Sequence, residues 1–364
     1  DGVNFKGKHV GVIGTGSTGI QAIPVIAKEA EHVTVFQRTA NYSLPANNAP
    51  LTEEFKRYAK EHADEIYEVM TTNGNGHPFR IAPRKAVETS PEELKQIYEA
   101  AWQKGGLQFR ATFEDLLTSN EANDTAAEFI RQKILNVVKD PEMAKVLADI
   151  DHPFAAKRPP IDSSYFETYN RDNISLVNLR QTPIEEIVPD GIKTSGRTYE
   201  LDMIVFATGF DAMTGSLLKL NIQGLNGRKL NDDWHAGPQT YLGLQIPGYP
   251  NLFTITGPGS PSVLCNLPPA IEQHVEWITD CIKYMQSQKL TTVQTSDEAS
   301  KQWQQEVERA ANATLLPQVK HSWYLGANVP GKPRVFMPYA GGLQQYREIC
   351  NDVAAEGYRG LIFS

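Results

Sequence analysis

Hydrophobic positions along the chain follow two periods. Residues 10–13 are a short apolar run and 33–36 are apolar but for Thr34, the pattern of strands buried on both faces of a parallel sheet. A helical pattern lies between them, so residues 1 to about 45 predict a βαβ unit. Residues 51–70 are charged and helical in period, with Phe55, Tyr58, Ile66 and Val69 as apolar anchors. Ser90-Pro91-Glu92-Glu93 is a capping box with proline at the first helical position, opening a helix that runs through Trp102. Amphipathic patterns follow at 124–138 and 141–149. These helices predict an insertion that interrupts the βαβ fold. Strand signals return at 174–179, 184–188 and 191–193. Residues 201–209 and 251–257 each predict a buried parallel strand ending in a turn. Residues 269–288 predict a long helix with Ile271, Val275, Ile278, Ile282 and Met285 on its core face. A Gly/Pro-rich loop at 326–334 and a closing helix at 344–356 complete the chain, which shows no internal repeat or heptad seam.

The turn after the first strand is Gly14-Thr15-Gly16-Ser17-Thr18-Gly19-Ile20-Gln21. In a Gly-x-Gly-x-x-Gly turn the first glycine permits the tight bend. The second lets the backbone approach a pyrophosphate, and the third lets helix and strand pack closely. The helix N-terminus then offers unpaired N–H groups and the positive end of its dipole. The second strand ends in Gln37-Arg38-Thr39, with no acid to take a ribose 2′-hydroxyl. A guanidinium suits a 2′-phosphate, so the motif predicts NADPH rather than NADH.

Composition narrows the class. At 364 residues the chain is long enough for two or three cores, and 40% apolar with 21% charged is ordinary for a globular protein. A net charge of −8 argues against nucleic acid or anionic membrane as the main partner. The three cysteines form no C-x-x-C, no apolar run reaches membrane-spanning length and no signal peptide is visible, so a reduced, cytoplasmic protein is expected. The eight histidines make no ligand cluster, and no metal is expected. Neither a G-x-S-x-G nor a Ser-His-Asp set is evident, which points to chemistry supplied by a cofactor. The chain opens at Asp1 without Met, so Asp1 marks either a processing boundary or the loss of an earlier domain.

Four other segments carry candidate chemistry. Lys157-Arg158, before Pro159-Pro160, is either a solvated surface pair or an anion clamp on a stiff backbone. Thr208-Gly209 ends a strand of the expected parallel sheet, where such folds bind ligands, or simply turns the chain. The loop 257–262, leading to Asn266-Leu267, could lie over a flat cofactor or serve as a rigid connection. Residues 322–332, with Trp323, read equally as a mobile lid or an ordered surface loop.

Taken together these motifs resemble the Baeyer–Villiger monooxygenases, flavoenzymes that convert ketones to esters or lactones, the phenylacetone monooxygenase type most and the cyclohexanone and steroid monooxygenases somewhat less. The resemblance runs over the whole chain. Besides the glycine turn it rests on Val35-Phe36-Gln37-Arg38, Lys157-Arg158, Tyr169-Asn170-Arg171-Asp172-Asn173 and Ala207-Thr208-Gly209-Phe210-Asp211. Further on it includes Gly257-Pro258-Gly259-Ser260-Pro261-Ser262, Ile271-Glu272-Gln273-His274 and Ser322-Trp323-Tyr324 with Gly326-Ala327-Asn328-Val329-Pro330-Gly331-Lys332.

It implies an α/β flavoprotein with two dinucleotide-binding domains. The NADPH domain would be 1–45 with 155–212, the helical insertion 46–154, and the C-terminal part of the FAD domain 213–364. Gly14, Thr15, Gly16, Ser17, Thr18, Gly19, Gln21, Thr208 and Gly209 would line the cofactor site. Arg38, Thr39 and Lys157 would hold the NADPH 2′-phosphate, and Trp323 the cofactor's ribose. Asn266 and Leu267 would border the flavin, and Val263 and Leu264 the substrate pocket. Arg158 would be the catalytic arginine, steadying the anionic C4a-peroxyflavin and the ketone adduct. Substrates would be a small ketone and O2, with no obligate protein partner. The family's earlier FAD-binding Gly-x-Gly-x-x-Gly and its F-x-G-x-x-x-H-x-x-x-W-P fingerprint do not occur here, so the chain is expected to be the C-terminal two-thirds of such an enzyme. Two other readings stay open: a nitrogen- or sulfur-oxidising flavin monooxygenase, or an NADPH-binding module without activity.

Overall fold

The computed structural model describes residues 2–364. In chain order, strand β1 (His9–Ile13) leads to helix α1 (Ser17–Glu29), β2 (His32–Gln37) and the short β3 (Leu44–Pro45). Helices α2 (Glu53–Glu61), α3 (Ala63–Thr71), α4 (Pro91–Lys104), α5 (Asn120–Val137) and α6 (Pro141–Ala148) follow. Next come β4 (Ile161–Asp162), α7 (Tyr165–Thr168), β5 (Ile174–Asn178), β6 (Ile184–Val188), β7 (Gly191–Thr194), β8 (Thr198–Glu200) and β9 (Met203–Phe206). The chain closes with α8 (Gly215–Lys219), α9 (Leu230–Asp233), α10 (Leu267–Ser287), β10 (Val293–Thr295), α11 (Asp297–Asn312), α12 (Leu343–Ala355) and β11 (Leu361–Phe363). Two compact units result. One holds the chain up to Pro50 with Ile81–Phe210, the other Leu51–Arg80 with Asp211–Ser364.

The first unit is built on a parallel four-stranded sheet of order β5-β2-β1-β9. Its central strands bury Val10, Val12, Val33 and Val35 completely, as their largely apolar runs predict. On one face Ile20, Ile23 and Ala27 of α1 share a core with Tyr98, Phe109, Phe113, Ile130 and Phe154. The helices from α4 to α6 therefore extend the sheet's own core, while α2 and α3 belong to the other unit. Ser90 caps α4 by accepting from the Glu93 N–H, as its capping box predicts. On the other face, the meander β6-β7-β8 packs Ile192 and Tyr199 against Phe36. Its third strand, the short polar β8, gave no apolar signal in the sequence.

The strand expected at 201–209 does pair in parallel with β1, but it is an edge strand, not a buried one. With a neighbour on one side only, Phe206 is left 62% exposed.

The second unit packs α10, α11 and α12 around Trp277, Cys281, Trp303, Tyr339, Tyr346 and Cys350. Two of its buried aromatics bond backbone: Trp277 Nε1 donates to the Cys350 carbonyl at 2.9 Å, and Tyr346 Oη to that of Leu242 at 2.6 Å. The Asn73-Gly74-Asn75-Gly76 turn belongs to this unit because two helix starts need acceptors. The Gly74 carbonyl takes the Leu343 N–H at 2.8 Å and that of Asn75 takes the Asn266 N–H at 2.9 Å.

Three expectations in this unit are corrected. Residues 51–70 form two helices, broken at His62, and Phe55 and Tyr58 are exposed rather than anchoring. Residues 251–257 form no strand: Phe253 makes an isolated antiparallel bridge to Gln245, and Thr256 takes a left-handed φ of 53°. The long helix buries Ala270, Gln273, His274, Trp277, Cys281 and Met285, while Ile271, Val275 and Ile282 face out. Up to Cys281 the core stripe lies one position before the predicted one, with Trp277 and Cys281 in the core, and it meets the prediction again at Met285.

Candidate functional site

The glycine turn of the first unit is shaped by backbone crowding. A side chain at Gly14, whose φ is +108°, would collide with the Ala207 carbonyl at the end of β9, and one at Gly19 would strike the Gly14 carbonyl. Around Gly16 there is open space. Gly16 is also the N-cap of α1 and supplies no side-chain cap. The exposed residues Gly16, Ser17 and Thr18 thus surround free first-turn N–H groups with no acidic side chain among them. Crowding on two sides with an opening on the third makes a cradle that fits a dinucleotide pyrophosphate.

The cradle is tied to the end of β2. The Thr15 hydroxyl donates to the Thr39 carbonyl at 2.8 Å, and the Gly14 N–H to the Phe36 carbonyl at 3.1 Å. Arg38 is exposed and Thr39 half-buried beside it. Thr208 and Gly209 follow Ala207 directly and are exposed next to Gly14.

Lys157 and Arg158 sit on a segment clamped at its far end. Leu44 pairs with Ile161 in the β3–β4 bridge, and the Ser43 hydroxyl donates to the buried Asp162 carboxylate. The Gln21 amide donates to the Ile161 carbonyl at 3.1 Å, which fastens the same segment to α1. Arg158 is exposed and Lys157 half-buried. Burial lowers the Lys157 ammonium below its ordinary value, and the charges of Arg38 and Arg180 push the same way against the pull of Asp151. Lys157, Arg38 and Arg180 therefore form one cationic neighbourhood. His152, on the same loop, is driven down to about 4 chiefly by its burial and stays neutral at pH 7.

Arg180 escaped the sequence reading. Its signal was positional: Asn178 of β5 lies opposite Gln37 of β2, so residues just past both parallel strands emerge together.

In the second unit Val263, Leu264 and Trp323 come together in one apolar cluster with Leu316, Tyr324 and Phe336. Asn266 is the N-cap of α10, without a side-chain cap bond, and Leu267 is the exposed first residue of that helix. This open helix start, with prolines at 268 and 269 and no acid in its first turn, suits the edge of a polar cofactor. The 322–332 loop is ordered by Ser322, which accepts the Tyr324 N–H, and by an ion pair from Lys332 to Asp211. No helix among the described residues is long and apolar enough to cross a membrane.

Fold and turn define a dinucleotide-binding α/β protein. No protein-family model matches the chain. It is 43% identical to the cyclohexanone 1,2-monooxygenase of an Acinetobacter species over 365 residues, covering 99% of this chain and 66% of that protein. It is 42% identical to a Baeyer–Villiger monooxygenase of Pseudooceanicola batsensis, again over 66% of the relative. Among solved structures, an oxidised steroid monooxygenase bound to NADP superposes with a TM-score of 0.93 at 50% identity, covering 100% of this chain and 68% of that one. The chain belongs to the Baeyer–Villiger monooxygenase family. It spans about two thirds of the length of the curated relatives it matches.

Proposed function

We propose that the whole protein is an FAD- and NADPH-dependent Baeyer–Villiger monooxygenase, converting a small ketone and O2 to an ester or lactone in the cytoplasm. Membership of the family and a cationic pair on a clamped segment beside the dinucleotide cradle support this reading. The first unit would be the NADPH-binding part and the second the C-terminal part of the FAD-binding domain. When bound, FAD reduced by NADPH supplies the activated oxygen that is inserted.

The roles of this chain's residues follow from their chemistry. The N–H groups at Gly16, Ser17 and Thr18 take the NADPH pyrophosphate, while Arg38, Thr39 and Lys157 take the 2′-phosphate. Gln21, Thr208 and Gly209 close the rim of that cradle. The Arg158 guanidinium would stabilise the oxyanion that develops when the ketone carbonyl is attacked. Val263 and Leu264 give the ketone an apolar wall, and Trp323 donates its indole N–H to a cofactor hydroxyl. Asn266 and Leu267 border the flavin.

The test is product analysis of the flavin-loaded protein with NADPH, air and paired ketone and thioether substrates. Arg158→Ala should abolish ester while NADPH still bleaches the flavin bands. Ester formed at the normal rate would remove Arg158 from the chemistry, and sulfoxide without any ester would favour the heteroatom-oxidising reading.

A further inference from the structure

The Arg180 guanidinium joins three backbone and side-chain partners at the cationic end of the sheet. Nε donates to the Arg38 carbonyl at 3.0 Å, Nη1 to the Asp149 carboxylate at 3.2 Å and Nη2 to that of Asp151 at 2.6 Å. The neighbouring residue is held as well: the Leu179 N–H donates to the Gln37 carbonyl at 2.8 Å, and the Gln37 side-chain amide Nε2 donates to the Val146 carbonyl at 3.1 Å. The Arg38 side chain therefore springs from an anchored backbone.

Charge matters as much as position. Asp151 lies on the loop that leads to Lys157, and its carboxylate attracts the Lys157 ammonium. Burial would raise the Asp151 carboxyl, but the His152 hydrogen bond and the charge of Arg180 outweigh it and hold it ionised below its ordinary value. Arg38, Lys157 and Arg180 face Asp149 and Asp151, leaving one positive charge in surplus. Without Arg180, two carboxylates would confront two cations and the surplus would vanish.

We propose that Arg180 is the positioning residue for recognition of the dinucleotide 2′-phosphate: it fixes the backbone of Arg38 and occupies Asp151, so that Lys157 stays available to the phosphate. This rests on the reading of Arg38 and Lys157 as the phosphate site. It gives Arg180 a part in choosing NADPH over NADH without touching the cofactor.

The experiment is calorimetric titration of the purified chain with NADP+ and with NAD+, alongside thermal unfolding. Arg180→Gln should weaken NADP+ by about tenfold and leave NAD+ within about twofold, since the 2′-phosphate alone distinguishes the two. Adding Asp151→Asn to Arg180→Gln should restore at least about threefold of the lost NADP+ affinity, because the freed carboxylate is then gone. A purely structural Arg180 would instead weaken both dinucleotides together and show no rescue by Asp151→Asn; either result overturns the proposal. Arg38→Gln is the control for the underlying reading. If it leaves the NADP+/NAD+ preference intact, the phosphate site itself is wrong and the inference falls with it. If it abolishes the preference while Arg180→Gln does not, the inference alone fails.

Discussion

Replacing Gly16 by alanine should separate binding from folding. The residue is exposed, its φ of −83° and ψ of −168° suit any amino acid, and an added Cβ meets nothing within 4 Å. The folding cost is that of a poorer N-cap, about 0.5–1 kcal/mol. In a domain of roughly 150–250 residues that lowers the melting temperature by about 1–4 °C. The same methyl would stand where the pyrophosphate must approach the first-turn N–H groups. A hydrogen bond to a charged group is worth about 1.5–3 kcal/mol, so losing one weakens NADP+ roughly ten- to hundredfold. Gly19→Ala is the opposite case. Its Cβ would collide with the Gly14 carbonyl, backbone that cannot rotate aside, and overpacking costs about 1–3 kcal/mol or more before any ligand is added. Calorimetry and differential scanning fluorimetry on the two variants give both quantities. Gly16→Ala that binds NADP+ within twofold of the parent would refute the cradle.

Other consequences can be checked separately. Arg38→Ala should weaken NADPH far more than NADH, by about 1.5–3 kcal/mol for a lost charge-assisted bond, and equal losses would take Arg38 out of the phosphate site. His274 is fully buried, accepts the Thr256 N–H on Nδ1 at 2.9 Å and has no hydrogen-bond partner for Nε2, and burial pushes it down to about 4. The unfolded chain binds that proton near pH 6.5, so stability is complete above 6.5 and falls as the pH drops toward 4, by about 2 kcal/mol at pH 5. His274→Asn keeps the acceptor and should flatten this part of the pH dependence of urea unfolding; an unchanged slope would assign the loss elsewhere. His152 has the same sign in the first unit. Asp211→Asn should speed hydrogen exchange at 326–334, since the Lys332 ammonium, 12% exposed, loses its carboxylate and keeps only the Ala212 carbonyl at 3.1 Å.

What the sequence made legible is what is decided locally. The βαβ start, the glycine turn and the Ser90 cap depend on residues a few positions apart, and each formed as its pattern required. The face of α10 did not. Branched aliphatic residues look like core, yet the helix is turned by Trp277 and Cys281, whose partners come from α12 and lie out of reach of any local window. Residues 251–257 have a strand's composition, but His274, on α10, claims the Thr256 N–H and the backbone turns left-handed. In the candidate site the cradle was readable and Arg180 was not, because only the β2–β5 register brings it to Arg38.

The order in which the first sheet receives its strands has a consequence for its synthesis. β1 and β2 are complete once Gln37 is made, but their outer neighbours, β5 and β9, end at Asn178 and Phe206. From the end of β2, at roughly 5–20 residues per second, a ribosome needs on the order of 10–30 seconds to deliver the strand that covers the far side of β1. Until β5 is made, Val10, Val12, Val33 and Val35 belong to a two-stranded ribbon with open edges on both sides, and the β1 edge stays open until β9 follows. The nascent chain therefore spends its longest wait as a sticky hairpin-sized fragment. Conditions that slow elongation, or remove chaperones that shield such edges, should cost soluble yield before they cost any property of the finished molecule.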